Sequence, residues 1–351
     1  MMLQGHFIDT LLAIEYRDPD NIAYSTWLYF RGITAPVFFT ISGLIFTYLL
    51  IKAKEKGTLS MRIRKGLVRG LMLIGIGYAL RIPIFRWLTG NFGTYFMVID
   101  VLQCIGLSLI LIVCIYLLAR KKTLMFSVVI LCLGTLIFLC EPLYRTYSAE
   151  GIHLFFANYL TKVNGSIFTI LPWFGYMAYG AFIATLFYGY LTRPKFKTGL
   201  ITGFFVTGLV LVYGSTPVFL ELAKLTNWTL LTEVANFNYL FIRLGNVLVI
   251  FGLFYALEAY LKQPVVLKIG QKTLSIYVIH FVLLYGSFTG LGLNQILGKI
   301  LTPFEVVFGA ICFLVTVSLI SIYIIKANTH IYKYITDKLH NLKTVIKSLN
   351  N

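Results

Sequence analysis

The chain is a near-continuous series of long apolar runs joined by short connections, and few folds accommodate that pattern. Segments 33–51, 67–85, 98–118, 124–140, 167–191, 199–220, 239–261, 273–290 and 304–325 reach or approach the ~17–25 apolar residues a helix needs to cross a bilayer. A tenth, MMLQGHFIDTLLAI at residues 1–14, is apolar but only about two-thirds of a span in length. It lacks the basic leader and small-residue cleavage site of a signal peptide, so a first helix beginning upstream of Met1 is expected. The fold class is therefore all-α, a polytopic transmembrane helix bundle of about ten helices. One membrane domain is expected over residues 1–327, followed by a basic amphipathic tail over 328–351.

Charge fixes an orientation for this series. With residues 1–14 counted as the first segment and 304–325 as the tenth, Lys52, Lys54, Lys56, Arg62, Arg64, Lys65 and Arg69 follow the second, against the single acid Glu55. Arg120, Lys121 and Lys122 follow the fourth, Arg193, Lys195 and Lys197 the sixth, and Lys262, Lys268 and Lys272 the eighth. Lys326, Lys333, Lys338, Lys343 and Lys347 follow the tenth. The intervening connections are mixed or acidic, with Glu15, Asp18, Asp20, Glu141, Glu150, Glu221 and Glu233. Short cytoplasmic loops retain Lys and Arg, which predicts a multi-pass protein of the plasma (inner) membrane with a cytoplasmic C-terminus. The same rule explains the formal net charge of +17, so no nucleic-acid partner is expected. The tail carries Ile331, Tyr334, Ile335, Leu339, Leu342, Ile346 and Leu349 near helical spacing among lysines. That suits either a helix lying on an anionic leaflet or a solvated one. Cys104, Cys114, Cys132, Cys140 and Cys312 fall in apolar runs without a C-x-x-C pair, and read as small hydrophobes.

Ionisable groups inside a span are costly and mark cavities, partners or function. His6 and Asp9 lie three apart and share a helix face, so the carboxylate could orient the imidazole for general-base chemistry. The plainer alternative places Asp9 among headgroups and packs His6 in the bundle. Arg31, in YFRGITAP, is either an interfacial anchor or a binder of anionic substrate groups. Asp100 and Gln103 share a face, and Asp100 needs a cation such as Arg31, Arg81 or Arg243; a structural ion pair is the leading alternative to catalysis. Arg243 and Asn246 cluster with Asn236 and Asn238 near the start of the eighth segment. Tyr277 and His280 share a face in TLSIYVIHF, either as a hydrogen-bonded core pair or as a site. No phosphate loop, zinc-protease helix, nucleophile elbow or dinucleotide fingerprint is present, and no metal ligand set is expected.

The stretches GHFID, RGITAPVFFTISGLIFTYLL, RIRKGLVRGLML, DVLQCIGLSLIL, ILPWFGYMAYG and IGQKTLSIYVIHFVLLYG occur in that order along nearly the whole chain. In that arrangement the chain resembles bacterial membrane acyltransferases with the heparan-alpha-glucosaminide N-acetyltransferase catalytic domain, distant relatives of type-3 acyltransferases. The resemblance implies transfer of an acyl group, commonly acetyl from acetyl-CoA, to a saccharide or other acceptor. It implies no tightly bound cofactor; acetyl-CoA or another acyl-CoA is the donor substrate. The type-3 enzymes carry an Arg eleven residues before a His in their first helix; His6 matches that His, and the Arg position falls before Met1. On this reading His6 is the base, Asp9 or Asp100 balances it, and Arg31, Arg81, Gln103, Arg243, Asn246, Tyr277 and His280 line the substrates. Arg62, Arg64 and Lys65 could attract CoA phosphates, although their topological role suffices to explain them. Two other classes stay open: a transporter or lipid/saccharide flippase, against which no inverted repeat or paired broken helices appear, and a non-catalytic scaffold.

Overall fold

The computed structural model describes residues 1–323, so the amphipathic tail expected over 328–351 lies outside the described residues. Among the described residues helix is the only regular secondary structure, apart from one isolated bridge between Leu12 and Leu301. Each predicted segment has helix over most of its described length. Six helices are long and apolar enough to cross a membrane: Ile22–Glu55, Thr94–Leu118, Ile170–Tyr190, Phe196–Thr226, Tyr239–Ala256 and Pro303–Tyr323. Pro264–Gln271 and Thr273–Tyr285 make a seventh if counted together, bent by 66° at Lys272. Thr123–Leu139 has 17 residues and Met2–Leu11 has 10. Leu59–Leu80 has 22, but Arg62, Arg64, Lys65 and Arg69 crowd its first half.

The described residues divide into two compact units, 1–19 with 260–323, and Asp20–Ala259. In the larger unit, glycines let helix backbones touch. A Cβ on Gly180 would stand 1.9 Å from the Thr40 carbonyl oxygen, and one on Gly43 would stand 2.1 Å from that of Met177. These two contacts seat Ile22–Glu55 on Ile170–Tyr190. Gly70 and Gly106 face each other in the same way, with added Cβ atoms 2.8 and 2.5 Å from the opposite carbonyls. Gly208 and Gly245 repeat the device at 2.8 and 2.6 Å. Lipid tails are as apolar as leucine, so membrane helices associate through such close approach rather than through hydrophobic transfer. Pro36 sits inside Ile22–Glu55, where it removes one backbone donor. The Thr40 hydroxyl donates back to the Pro36 carbonyl at 2.8 Å.

In the smaller unit, Met2–Leu11 packs its Phe7 ring against Phe313, 5.2 Å between centroids, over the bare Cα of Gly309. Arg17 folds back to close the end of that helix. Its guanidinium donates to the Asp9 carbonyl at 2.8 Å and to the Leu12 carbonyl at 2.8 and 3.2 Å. A cation over the last carbonyls also suits the helix dipole. Gly286, at φ +68°, ends Thr273–Tyr285, and its Cα lies so close to Leu291 and Gly292 that no side chain fits. The final helix turns Phe304, Phe308, Ile311 and Val315 outward along one stripe. An apolar stripe of that length belongs against lipid.

Candidate active site

The smaller unit brings the first helix and Thr273–Tyr285 together around two histidines. Their rings lie 5.2 Å apart, tilted by 32°. His6 Nδ1 is 3.1 Å from the Tyr285 hydroxyl, and Thr10 Oγ1 donates to the same hydroxyl oxygen at 3.4 Å. Tyr285 stands edge-on to His6 with centroids 6.2 Å apart. His280 is fully buried, and its Nδ1 lies 3.3 Å from the Ile276 carbonyl, which can only accept, so this contact is a hydrogen bond when Nδ1 carries a proton. Tyr277 meets His280 edge-on at 5.0 Å, and Phe281 lies between the His280 and Tyr285 rings, at 6.2 and 4.9 Å.

Helical spacing assembles this cluster. Tyr277, His280, Phe281 and Tyr285 follow the three-to-four step that stacks side chains on one face, and Thr10 is one turn beyond His6. The sequence analysis names His6, Tyr277 and His280 as candidates; Tyr285 and Thr10 join them only in the structure. The signal was present: Tyr285 continues the Tyr277 face by two turns, and Thr10 is the polar neighbour of His6. Asp9 gives its backbone carbonyl to Arg17.

The larger unit holds the other predicted residues in two groups. In the first, Arg81 bonds Asp100 Oδ2 at 2.8 Å, with side chains only 5% and 12% exposed. Asp100 also caps the Val101–Leu118 helix. Its Oδ1 accepts from the Val101 N–H at 2.8 Å, and Gln103 Oε1 accepts from the Asp100 N–H at 3.2 Å. Asp100 and Gln103 are thus a capping box, which explains their shared face. Gln103 packs on Gly77, where an added Cβ would stand 2.4 Å from its Oε1. Arg81 also lies 4.9 Å over the Tyr95 ring.

In the second group, Arg243 NH1 donates to the Tyr29 carbonyl at 2.9 Å, and its guanidinium lies 4.9 Å over the Tyr29 ring and 6.0 Å from that of Tyr239. The Tyr29 hydroxyl donates to Asn246 Oδ1 at 2.8 Å. Arg31 sits 6.0 Å over Trp27, one turn away. Among the described residues no set of three or more His, Cys, Asp or Glu side chains converges as a metal site would. The cysteines form no disulfide; Cys104 is buried as expected, whereas Cys114, Cys132 and Cys312 face outward from their helices.

No curated protein and no solved structure is significantly similar to the chain. A family model does match. It is that of the heparan-alpha-glucosaminide N-acetyltransferase catalytic domain, over residues 1–221, and it covers the first helix with His6, the glycine-mediated crossings of Ile22–Glu55 and the Arg81–Asp100 pair. The match spans more than half of the chain, and the protein belongs to the heparan-alpha-glucosaminide N-acetyltransferase catalytic-domain family.

Proposed function

We propose that the protein is an integral membrane acyltransferase that moves an acyl group, acetyl by analogy with its family, from an acyl-CoA donor to a saccharide or other acceptor. The observation that carries this reading is His6, within the family match, hydrogen-bonded to Tyr285 and set 5.2 Å from the tilted ring of His280. The Tyr285 oxygen has lone pairs for both the Thr10 hydroxyl and the His6 Nδ1–H. With Nδ1 donating, His6 Nε2 is the proton-accepting nitrogen. It takes the proton from an acceptor hydroxyl or amine as that oxygen or nitrogen attacks the thioester carbonyl. The carbon–sulfur bond then breaks, and the imidazolium returns the proton to the departing CoA thiolate. His280 lies beside this ring, and Tyr277 lies against His280.

In this proposal Asp9 and Asp100 are acids that support catalysis without touching the acyl group. Asp100 acts by holding Arg81 and its helix cap, and Gln103 by completing that cap. Arg31, Arg243 and Asn246 are substrate-binding residues of the larger unit. The protein resides in the plasma (inner) membrane, with basic loops and tail in the cytoplasm where acyl-CoA is available. The test is transfer of radiolabelled acetyl from acetyl-CoA by purified protein to a panel of amino sugars and neutral sugars, with His6→Ala alongside. Loss of transfer in the variant supports the reading, and absence of transfer to every acceptor overturns it. The 66° break beside the His280 helix supports a second reading, transport, since broken helices line transporter sites. Substrate counterflow in proteoliposomes without acyl transfer would favour it.

A further inference from the structure

We propose that Arg243, Asn246 and Tyr29 form a binding subsite for an oxyanion, the carboxylate or phosphate of an acidic acceptor. Arg243 spends one N–H on the Tyr29 carbonyl, and among the described residues no carboxylate lies within 4.0 Å of it. Its flat face rests on Gly32, where an added Cβ would meet NH2 at 2.7 Å, so the fork is held in one plane. A guanidinium fixed in this way presents parallel donors that match a carboxylate or phosphate.

Asn246 supplies the second, independent observation. It is only 8% exposed, and its Oδ1 is taken by the Tyr29 hydroxyl. Its Nδ2 is buried and has no acceptor. An enclosed amide donor without an acceptor costs about as much as a lost hydrogen bond, and sites that tolerate such donors keep them for a ligand oxygen. The subsite therefore offers a guanidinium and a buried amide N–H, and the positive charge of Arg243 favours anions over neutral hydroxyl groups. Tyr29 is 44% exposed and forms the outer wall, and the guanidinium is flanked by the Tyr29 and Tyr239 rings. Tyr29 lies near the start of Ile22–Glu55, whose far end carries Lys52, Lys54 and Lys56. By the positive-inside rule the subsite is then on the non-cytoplasmic side, where an external acceptor arrives. Assigning the anion to the acceptor rests on the acyltransferase reading; the anion site itself does not.

The experiment measures thermal stability and equilibrium binding of the full chain in lipid nanodiscs, with inorganic phosphate, glucuronic acid and neutral glucose as probes. Saturable binding of phosphate or glucuronate, with none of glucose, is expected, and the preferred anion separates a phosphate from a carboxylate ligand. Arg243→Ala should weaken anion binding by about tenfold or more, and Arg243→Lys by less. Asn246→Asp keeps an acceptor for the Tyr29 hydroxyl but replaces the donor with a negative oxygen. It should abolish binding with the unliganded melting temperature preserved, so misfolding is not mistaken for lost recognition. No anion binding by the wild type, or unchanged binding in both variants, overturns the subsite. Anion binding without acetyl transfer to any acceptor would leave the subsite standing and sink the acyltransferase reading; transfer with no anion binding would do the reverse.

Discussion

Tyr285→Phe is the sharpest probe of the histidine cluster. The substitution removes one oxygen, which lies 3.1 Å from His6 Nδ1 and accepts from Thr10 at 3.4 Å. The ring and its edge-on packing at 6.2 Å are left in place. A neutral hydrogen bond contributes about 1 kcal/mol, and one to a charged group about 1.5–3 kcal/mol. His6 is neutral before proton transfer and cationic at the transition state, so only the difference, about 1–1.5 kcal/mol, reaches the rate. Expressed as a rate, kcat for acetyl transfer should fall by roughly tenfold, with KM for the acyl-CoA unchanged. His6→Ala alone should cost about 10²–10⁴. The decisive quantity is the coupling: in the His6→Ala background, Tyr285→Phe should change the residual rate by less than about twofold. The assay is single-turnover transfer of labelled acetyl by detergent-purified variants whose melting temperatures match. Equal losses from Tyr285→Phe with and without His6 would refute the claim that the phenol works through this imidazole.

Three further outcomes follow from the packing and the charges. Gly180→Ala drives a methyl to 1.9 Å from the Thr40 carbonyl, and should lower stability by about 1–3 kcal/mol or prevent folding, whereas Gly75→Ala, with nothing within 4 Å, should be neutral in the same unfolding titration. Arg81→Ala leaves Asp100 buried beside no cation of its own pair and should cost about 3–5 kcal/mol. Adding Asp100→Asn, which keeps the helix cap, should recover a large part of that loss, and no recovery would show that the pair is not the cause. Cysteines introduced at Asp18 and Glu150 should react with an impermeant maleimide added outside whole cells, while ones at Lys56 and Arg193 should react only after permeabilisation; the reverse pattern would invert the topology.

The helices were legible because a bilayer-crossing run of apolar residues has one economical backbone solution, and the basic loops supplied the orientation expected for them. Local polar partners were legible only in part. Asp100 was seen to need an arginine, and three candidates were open; the structure pairs it with Arg81, which the chain brings back from the end of Leu59–Leu80. Its shared face with Gln103 forms a capping box, an Asp-x-x-Gln pattern that sequence alone carries. Tyr285 could not be matched to His6 in advance, because 279 residues separate them and no local rule pairs the first helix with Thr273–Tyr285. The 66° break at Lys272 was also hidden, since the bend carries no proline and only the single Gly270, which a continuous helix also tolerates. The glycine crossings were visible as glycines but not as contacts, because which bare backbones meet depends on the register between helices.

The most direct measurement is acetyl transfer from labelled acetyl-CoA by the purified wild-type chain in lipid, against the His6→Ala protein at matched stability. The account predicts acceptor-dependent transfer by the wild type and a loss of about 10²–10⁴ in the variant. Transfer that survives in His6→Ala at the wild-type rate, or a wild type that acetylates no acceptor, would contradict it.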